Sequence, residues 1–316
     1  MAPIEKQIYD SRILGVSEML RMVYNGTKLR NGSVSMEEKL NDDPKILLIN
    51  DMAGYGKVAL PAMIPVFSHF KLETFNLPTA LVSNTLDYGL FEILDTTEYM
   101  RNTLKIWKKL SFDFDAVCTG FIASEQQASL VCEFCKEQRE KGSRIFVDPI
   151  MGDDGKLYNG VTEESVISMK QLCAAADVVV PNITEACFLS DHVVQEFYTE
   201  EEINQIANQL HDLGAKAVVI TSIKTKEGKY TAVKASPEAS IRFLPYEEIP
   251  VRFPGTGDVF LSIMVGCYLR NGALEKSVET AMRQLESIIR ANQGNQDKYK
   301  GIPIEQFLED IGNEET

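Results

Sequence analysis

The sequence predicts an α/β fold, with a mainly parallel central sheet flanked by helices. Short continuous apolar runs such as Lys45-Ile46-Leu47-Leu48-Ile49 read as strands buried on both faces. Helical patterns of about 10–15 residues separate them, the rhythm of βα units. Polar and acidic residues follow directly after the strand signals, at the sheet edge where such folds bind ligands. A length of 316 residues favours one large α/β domain over two small ones.

Residues 1–43 are polar and mixed and read as an N-terminal extension, with one amphipathic stretch around 13–23. The first strand at Lys45–Ile49 leads into the loop Asn50-Asp51-Met52-Ala53-Gly54-Tyr55-Gly56 and then a helix over about 57–70. Extended structure is expected over 74–84, interrupted at Pro78, forming a flap that closes at the turn Asp87-Tyr88-Gly89. The βα rhythm then continues, with helices near 97–110, 124–141, 162–173, 183–190 and 200–213 and strands near 115–119, 144–148, 177–180 and 216–221. A hairpin pair is expected at 229–235 and 240–246. Two closing helices run to about Leu269 and from Ala273 to about Ala291, and 294–316 form a tail packed on the domain or trailing it.

With 32 Lys and Arg against 46 Asp and Glu, the formal charge is −14, which argues against nucleic acid or an anionic membrane as partner. No run of about 18 apolar residues and no basic-then-apolar leader is visible, so a cytoplasmic protein is expected. Cys132-Glu133-Phe134-Cys135 spells C-x-x-C, but it lies in a helical pattern without a second pair and reads as plain helix. Gly54-Tyr55-Gly56-Lys57-Val58-Ala59 fits the G-x-G-x-x-A dinucleotide spelling with Glu73 beyond it. Four residues separate the strand from its first glycine, and Glu73 starts a strand rather than ending one, so this match is weak.

The densest chemical signal is Pro254-Gly255-Thr256-Gly257-Asp258, a glycine-rich turn opening into the apolar run Val259–Val265. Two glycines allow close backbone approach, Thr256 can cap, and the first N–H groups of the helix form an anion site. Asp258 in the first turn suits a base that deprotonates a hydroxyl attacking a phosphate. A plain N-cap with a favourable first-turn acid reads equally well from these residues alone. Asp148-Pro149, Asn182-Ile183-Thr184-Glu185 and Thr221-Ser222 follow three other strands. Asp148 and Glu185 at one sheet edge would hold a magnesium ion directly or through its waters.

Asp148-Pro149-Ile150-Met151-Gly152-Asp153, Asn182-x-x-Glu185 and Gly255-Thr256-Gly257-Asp258, in this order, resemble the ribokinase-like superfamily and most closely its pyridoxal/pyridoxamine kinase branch. The likeness runs from about Lys45 to Gln293, and no G-x-x-x-x-G-K-[ST] is present to offer another route to ATP. It implies a three-layer ribokinase-like fold with a small flap over the substrate, and ATP-dependent phosphorylation of a hydroxymethyl group. Hydroxymethylpyrimidine or another small alcohol is the rival substrate. A non-catalytic binding homologue is the further rival.

On matching positions the resemblance implies Asp258 as base and Gly255, Thr256 and Gly257 as the anion hole. Asp148, Asn182 and Glu185 would organise magnesium and the ATP phosphates, and Thr221 would touch the nucleotide. Asn50, Asp51, Tyr55, Gly56, Thr79, Ser83 and Asn84 would meet the acceptor. A homodimer and a monovalent cation such as K+ are implied in the same way. The chain departs from the branch at Asp51-Met52, where Ser-His is typical, at Thr85, where the flap usually carries His, and at Val180, where Thr is common before Pro181-Asn182.

Overall fold

The computed structural model describes residues 44–158 and 161–312, so the expected extension over 1–43 lies outside the described residues. Its main sheet is built from β1 (Lys45–Ala53), β2 (Glu73–Val82), β3 (Ile93–Asp95), β4 (Ala116–Thr119), β5 (Arg144–Val147), β8 (Val178–Val179), β9 (Ala217–Lys224), β10 (Lys229–Lys234) and β11 (Arg242–Tyr246). A separate small hairpin joins β6 (Gly152–Asp153) and β7 (Lys156–Leu157). The main sheet runs β11-β10-β9-β8-β5-β4-β1-β2-β3. Strands from β9 to β2 pair in parallel, while β10, β11 and β3 add antiparallel edges.

Side chains alternate between the two faces of the parallel strands, as a two-residue period requires. Ile46 and Leu48 enter one core, with α1 (Leu60–His69), α7 (Thr256–Asn271) and α8 (Leu274–Asn292). Leu47 and Ile49 enter the other, with α2 (Thr97–Lys109), α3 (Glu125–Glu140), α4 (Glu163–Cys173), α5 (Ile183–Leu189) and α6 (Glu200–Leu213). The result is the expected three-layer arrangement. Short continuous apolar runs were the correct signal because each parallel strand is covered on both sides.

Several local expectations change. Pro78 does not interrupt β2, because β3 pairs only from Ala80 onward and β2 is still an edge at the proline. The helix expected from about 57 begins at Leu60, since Lys57 is drawn into a bridge with Gly301. Neither β3 nor the β6–β7 hairpin was anticipated, both being too short for a periodic signal. The tail packs on the domain: Ile302, Ile304 and Ile311 are buried with α1 and α7. Cys132 and Cys135 lie buried on α3, where burial pushes the Cys135 thiol up, and no disulfide occurs among the described residues.

Helix α7 crosses α1 closely at Gly266, where an added Cβ would lie 2.4 Å from the Phe70 ring. Phe70 is itself pinned by Arg270, whose guanidinium stands 4.5 Å from the ring centroid. Gly266→Ala is therefore expected to destabilise the fold by about 1–3 kcal/mol through overpacking. Thermal melting checks this.

Candidate active site

The carboxyl end of β1 and the loop after β5 meet the first turn of α7, with the ends of β4 and β8 alongside in the sheet, and this junction collects several of the expected residues. Gly255 sits at the N-cap of α7 with φ 83°, the left-handed region that favours glycine. An added Cβ there would stand 2.4 Å from the Lys57 carbonyl oxygen. Thr256 does not cap the helix: it lies inside the first turn, and its hydroxyl donates to the Phe253 carbonyl at 3.4 Å. Val259 N–H makes the first bond back to Gly255, and no side chain caps the turn. The preceding N–H groups have no acceptor within the helix, the arrangement by which a helix start can bind an anion.

Asp258 is buried in that turn. Asn50 Nδ2 donates to its Oδ1 at 3.0 Å and the Ala59 N–H to its Oδ2 at 2.8 Å. Burial raises its pKa to about 6 against the pull of those two donors. Such a carboxyl is charged at neutral pH while remaining basic enough to accept a proton. Asp51 stands next along β1. Burial first and the charge of Asp258 second raise its pKa to about 7.

Asp148 follows β5, close under the same turn, with its Oδ2 3.9 Å from where a Gly257 Cβ would be. Burial, then Glu185 and Asp258, push its carboxyl well up. Glu185 and Asn182 form a capping box at the start of α5. Glu185 Oε1 also accepts from Met151 N–H at 3.0 Å, and Asn182 Nδ2 donates to the Gly152 carbonyl at 2.8 Å. Burial raises Glu185 to about 8 against these donors. The Asn-x-x-Glu spacing therefore clamps the loop after β5, and Glu185 has its oxygens largely occupied by main-chain N–H groups.

No group of three or more His, Cys, Asp or Glu arranged for a metal ion occurs among the described residues. The donor chemistry nonetheless fits magnesium. Asp148 offers a hard oxygen in a pocket of mutually repelling carboxylates, and Mg2+ takes one or two carboxylates with water and phosphate oxygens.

Thr221, within β9, bridges to Asn182, its N–H donating to the Pro181 carbonyl at 3.0 Å. At the acceptor end the expected residues separate. Thr79 lies one residue beyond the Asn50–Pro78 pair, fully buried with its Oγ1 unpartnered. Ser83 and Asn84 shape the flap instead, Ser83 Oγ accepting from Glu92 N–H at 2.9 Å and Asn84 Nδ2 donating to the Leu90 carbonyl at 2.9 Å. Gly56 passes tightly under Thr85, and half-exposed Tyr55 stands 6.0 Å from Tyr88 between ring centroids. The glycines of the dinucleotide spelling lie before and within this bend rather than at a helix start, and Ala59 serves Asp258.

Sequence reasoning missed the tail's part in this loop. Lys57 N–H donates to the Lys300 carbonyl at 2.7 Å, and Thr85 Oγ1 to the Tyr299 carbonyl at 2.6 Å. Tyr88 Oη donates to Asp297 at 2.7 Å. Gly301 was the available signal, since an added Cβ there would lie 2.6 Å from the Lys57 carbonyl oxygen.

Residues 62–302 match the phosphomethylpyrimidine kinase family model. The chain belongs to that family. Within it, a candidate phosphomethylpyrimidine kinase from Bacteroides thetaiotaomicron, in a crystal form with pyridoxal, is 34% identical with a TM-score of 0.78. The match covers 85% of this chain and 95% of that one. Pyridoxal kinase from Leishmania donovani, in complex with ADP and ginkgotoxin, is 25% identical with a TM-score of 0.74, over 86% of this chain and 97% of that one. Pyridoxal kinase from Dictyostelium discoideum is 24% identical, over 84% of this chain and 92% of that protein. The ribokinase-like fold and the vitamin B6 kinase likeness expected from the motifs are both borne out.

Proposed function

We propose that this protein transfers the γ-phosphoryl group of ATP to the hydroxymethyl oxygen of a vitamin B6 vitamer, giving the 5′-phosphate and ADP. The observation that carries it is Asp258, held by two donors at the mouth of an uncapped helix start. The acceptor O–H gives its proton to Asp258 as the oxygen bonds to the γ-phosphorus, and the bond from that phosphorus to the β,γ-bridging oxygen breaks to release ADP. Main-chain N–H groups at Gly255, Thr256 and Gly257 steady the charge on the transferred group. A magnesium ion, when bound, would be held by Asp148 with Glu185 behind it and would neutralise phosphate charge. In this reading Thr221 and Asn182 meet the nucleotide.

In this reading Asp51 and Thr79 meet the acceptor ring. Asp51 is a carboxylate out of water beside a second carboxylate, so an acceptor bringing positive charge is favoured there. A cytoplasmic salvage role and the homodimer implied by the resemblance belong to the same reading. Exposed Leu90, Phe91, Ile93 and Leu94 on the flap and sheet edge offer the dimer an apolar surface.

ADP release should be compared for pyridoxal, pyridoxamine, pyridoxine and hydroxymethylpyrimidine. At least one vitamer is expected to exceed the pyrimidine in kcat/KM, and turnover of the pyrimidine alone would overturn the reading. In Asp51→Asn, the kcat/KM ratio of pyridoxamine to pyridoxine is expected to fall about tenfold, equivalent to ~1.4 kcal/mol.

A further inference from the structure

Asn50 was expected to touch the acceptor, but its surroundings give it another task. The residue is 1% exposed. Its Nδ2 donates to Asp258 Oδ1 at 3.0 Å and also lies 3.3 Å from Met63 Sδ. Its Oδ1 accepts from Phe121 N–H at 2.8 Å and from Asp51 N–H at 2.9 Å. An amide side chain has two N–H donors and two lone pairs, so all four are engaged within the protein and none is left for a ligand.

The amide is also fixed by shape. A Cβ at Gly120 would lie 2.3 Å from Asn50 Nδ2 and 2.5 Å from its Cγ, so only glycine leaves room for the side chain in this orientation. Gly120 and Phe121 follow β4, the neighbour of β1, and Gly120 N–H donates to the Ile49 carbonyl at 2.9 Å. The strand pair thus forms a cradle that aims the Asn50 amide at Asp258. Its Oδ1 accepts two main-chain N–H groups, which sets the amide orientation and leaves the NH2 group toward the carboxylate.

We propose that Asn50 is the positioning residue of the base, held by the Gly120–Phe121 cradle so that the Asp258 carboxylate keeps one rotamer toward the acceptor. Ala59 N–H fixes the other oxygen from the start of α1. With both oxygens tied, the carboxylate cannot swing toward Asp51 or Asp148, the two acidic groups that face it from β1 and from the loop after β5. Each donor leaves a further lone pair on its oxygen for the incoming hydroxyl. The inference rests on Asp258 being the base.

Asn50→Leu removes the amide at similar volume, and Gly120→Ala displaces it while keeping it polar. Both are expected to lower kcat about 10²-fold while KM for ATP stays within about threefold. The acid limb of the kcat–pH profile should also move upward, because loss of a donor to the charged carboxylate favours its protonated form. A merely structural role for Asn50 would lower the melting temperature without moving that limb. Unchanged kcat and an unmoved limb in folded Gly120→Ala would overturn the proposal, as would a rise in acceptor KM alone. If Asn50→Leu fails to fold, Gly120→Ala carries the test. Wild-type turnover in Asp258→Asn would remove the base assignment itself, whereas an inactive Asp258→Asn beside a fully active Gly120→Ala would sink only the role given to Asn50.

Discussion

Asp258→Asn is expected to lower kcat by about 10²–10⁴-fold, the usual contribution of a positioned base, while ATP affinity changes little. Single-turnover phosphate transfer beside ATP binding by calorimetry checks both halves. The pH dependence has a definite sign. The base must be charged, so wild-type kcat should rise with pH through about 6, where the buried carboxyl titrates. Stability runs the other way. A carboxyl whose folded pKa lies above its ordinary 3.8 favours the folded state at low pH, and that contribution is lost as pH rises through about 6. Removing the charge should therefore leave Asp258→Asn melting no lower than wild type at pH 8, even though one of the two donors then faces an amide nitrogen.

Gly255→Ala should be the most damaging change outside the carboxylates. The φ of 83° disfavours any side chain, and the new Cβ would sit 2.4 Å from the Lys57 carbonyl oxygen. The turn must shift, and with it the N–H groups aimed at the transferred phosphoryl. Loss of oxyanion-type donors costs about 10²–10³-fold in kcat. The backbone strain adds about 1–3 kcal/mol of destabilisation. Steady-state kinetics and a melting curve separate the two effects, and an alanine variant with wild-type kcat would refute the anion-hole assignment.

The layers of the fold and the sheet edge carrying the site were legible because both follow from local pattern. Apolar runs marked strands covered on both faces, and polar residues directly after them marked the ligand edge. Asp148 and Glu185 were read in this way and Asp258 from the glycine-rich turn that opens a helix, and the structure brings the three carboxyls near one another. What each side chain faces was harder to read, because its partners are remote in sequence. Asn50 sits after a strand like a ligand-binding residue, yet its partner Asp258 lies 208 residues away. Ser83 and Asn84 likewise carry binding chemistry but use it to shape their own turn. Gly120 and Gly301 matter for side-chain and carbonyl positions that no local spacing encodes.

The Lys57 carbonyl lies between Gly255 and Gly301, so the turn at Gly255 is backed on one side by backbone from far along the chain. Lys57 also pairs with Glu305 across 248 residues. Contacts of such sequence separation carry the largest loop-closure cost. Detaching the tail would leave the strands paired while removing the backing of the Gly255 turn, so activity is expected to fail before the fold does.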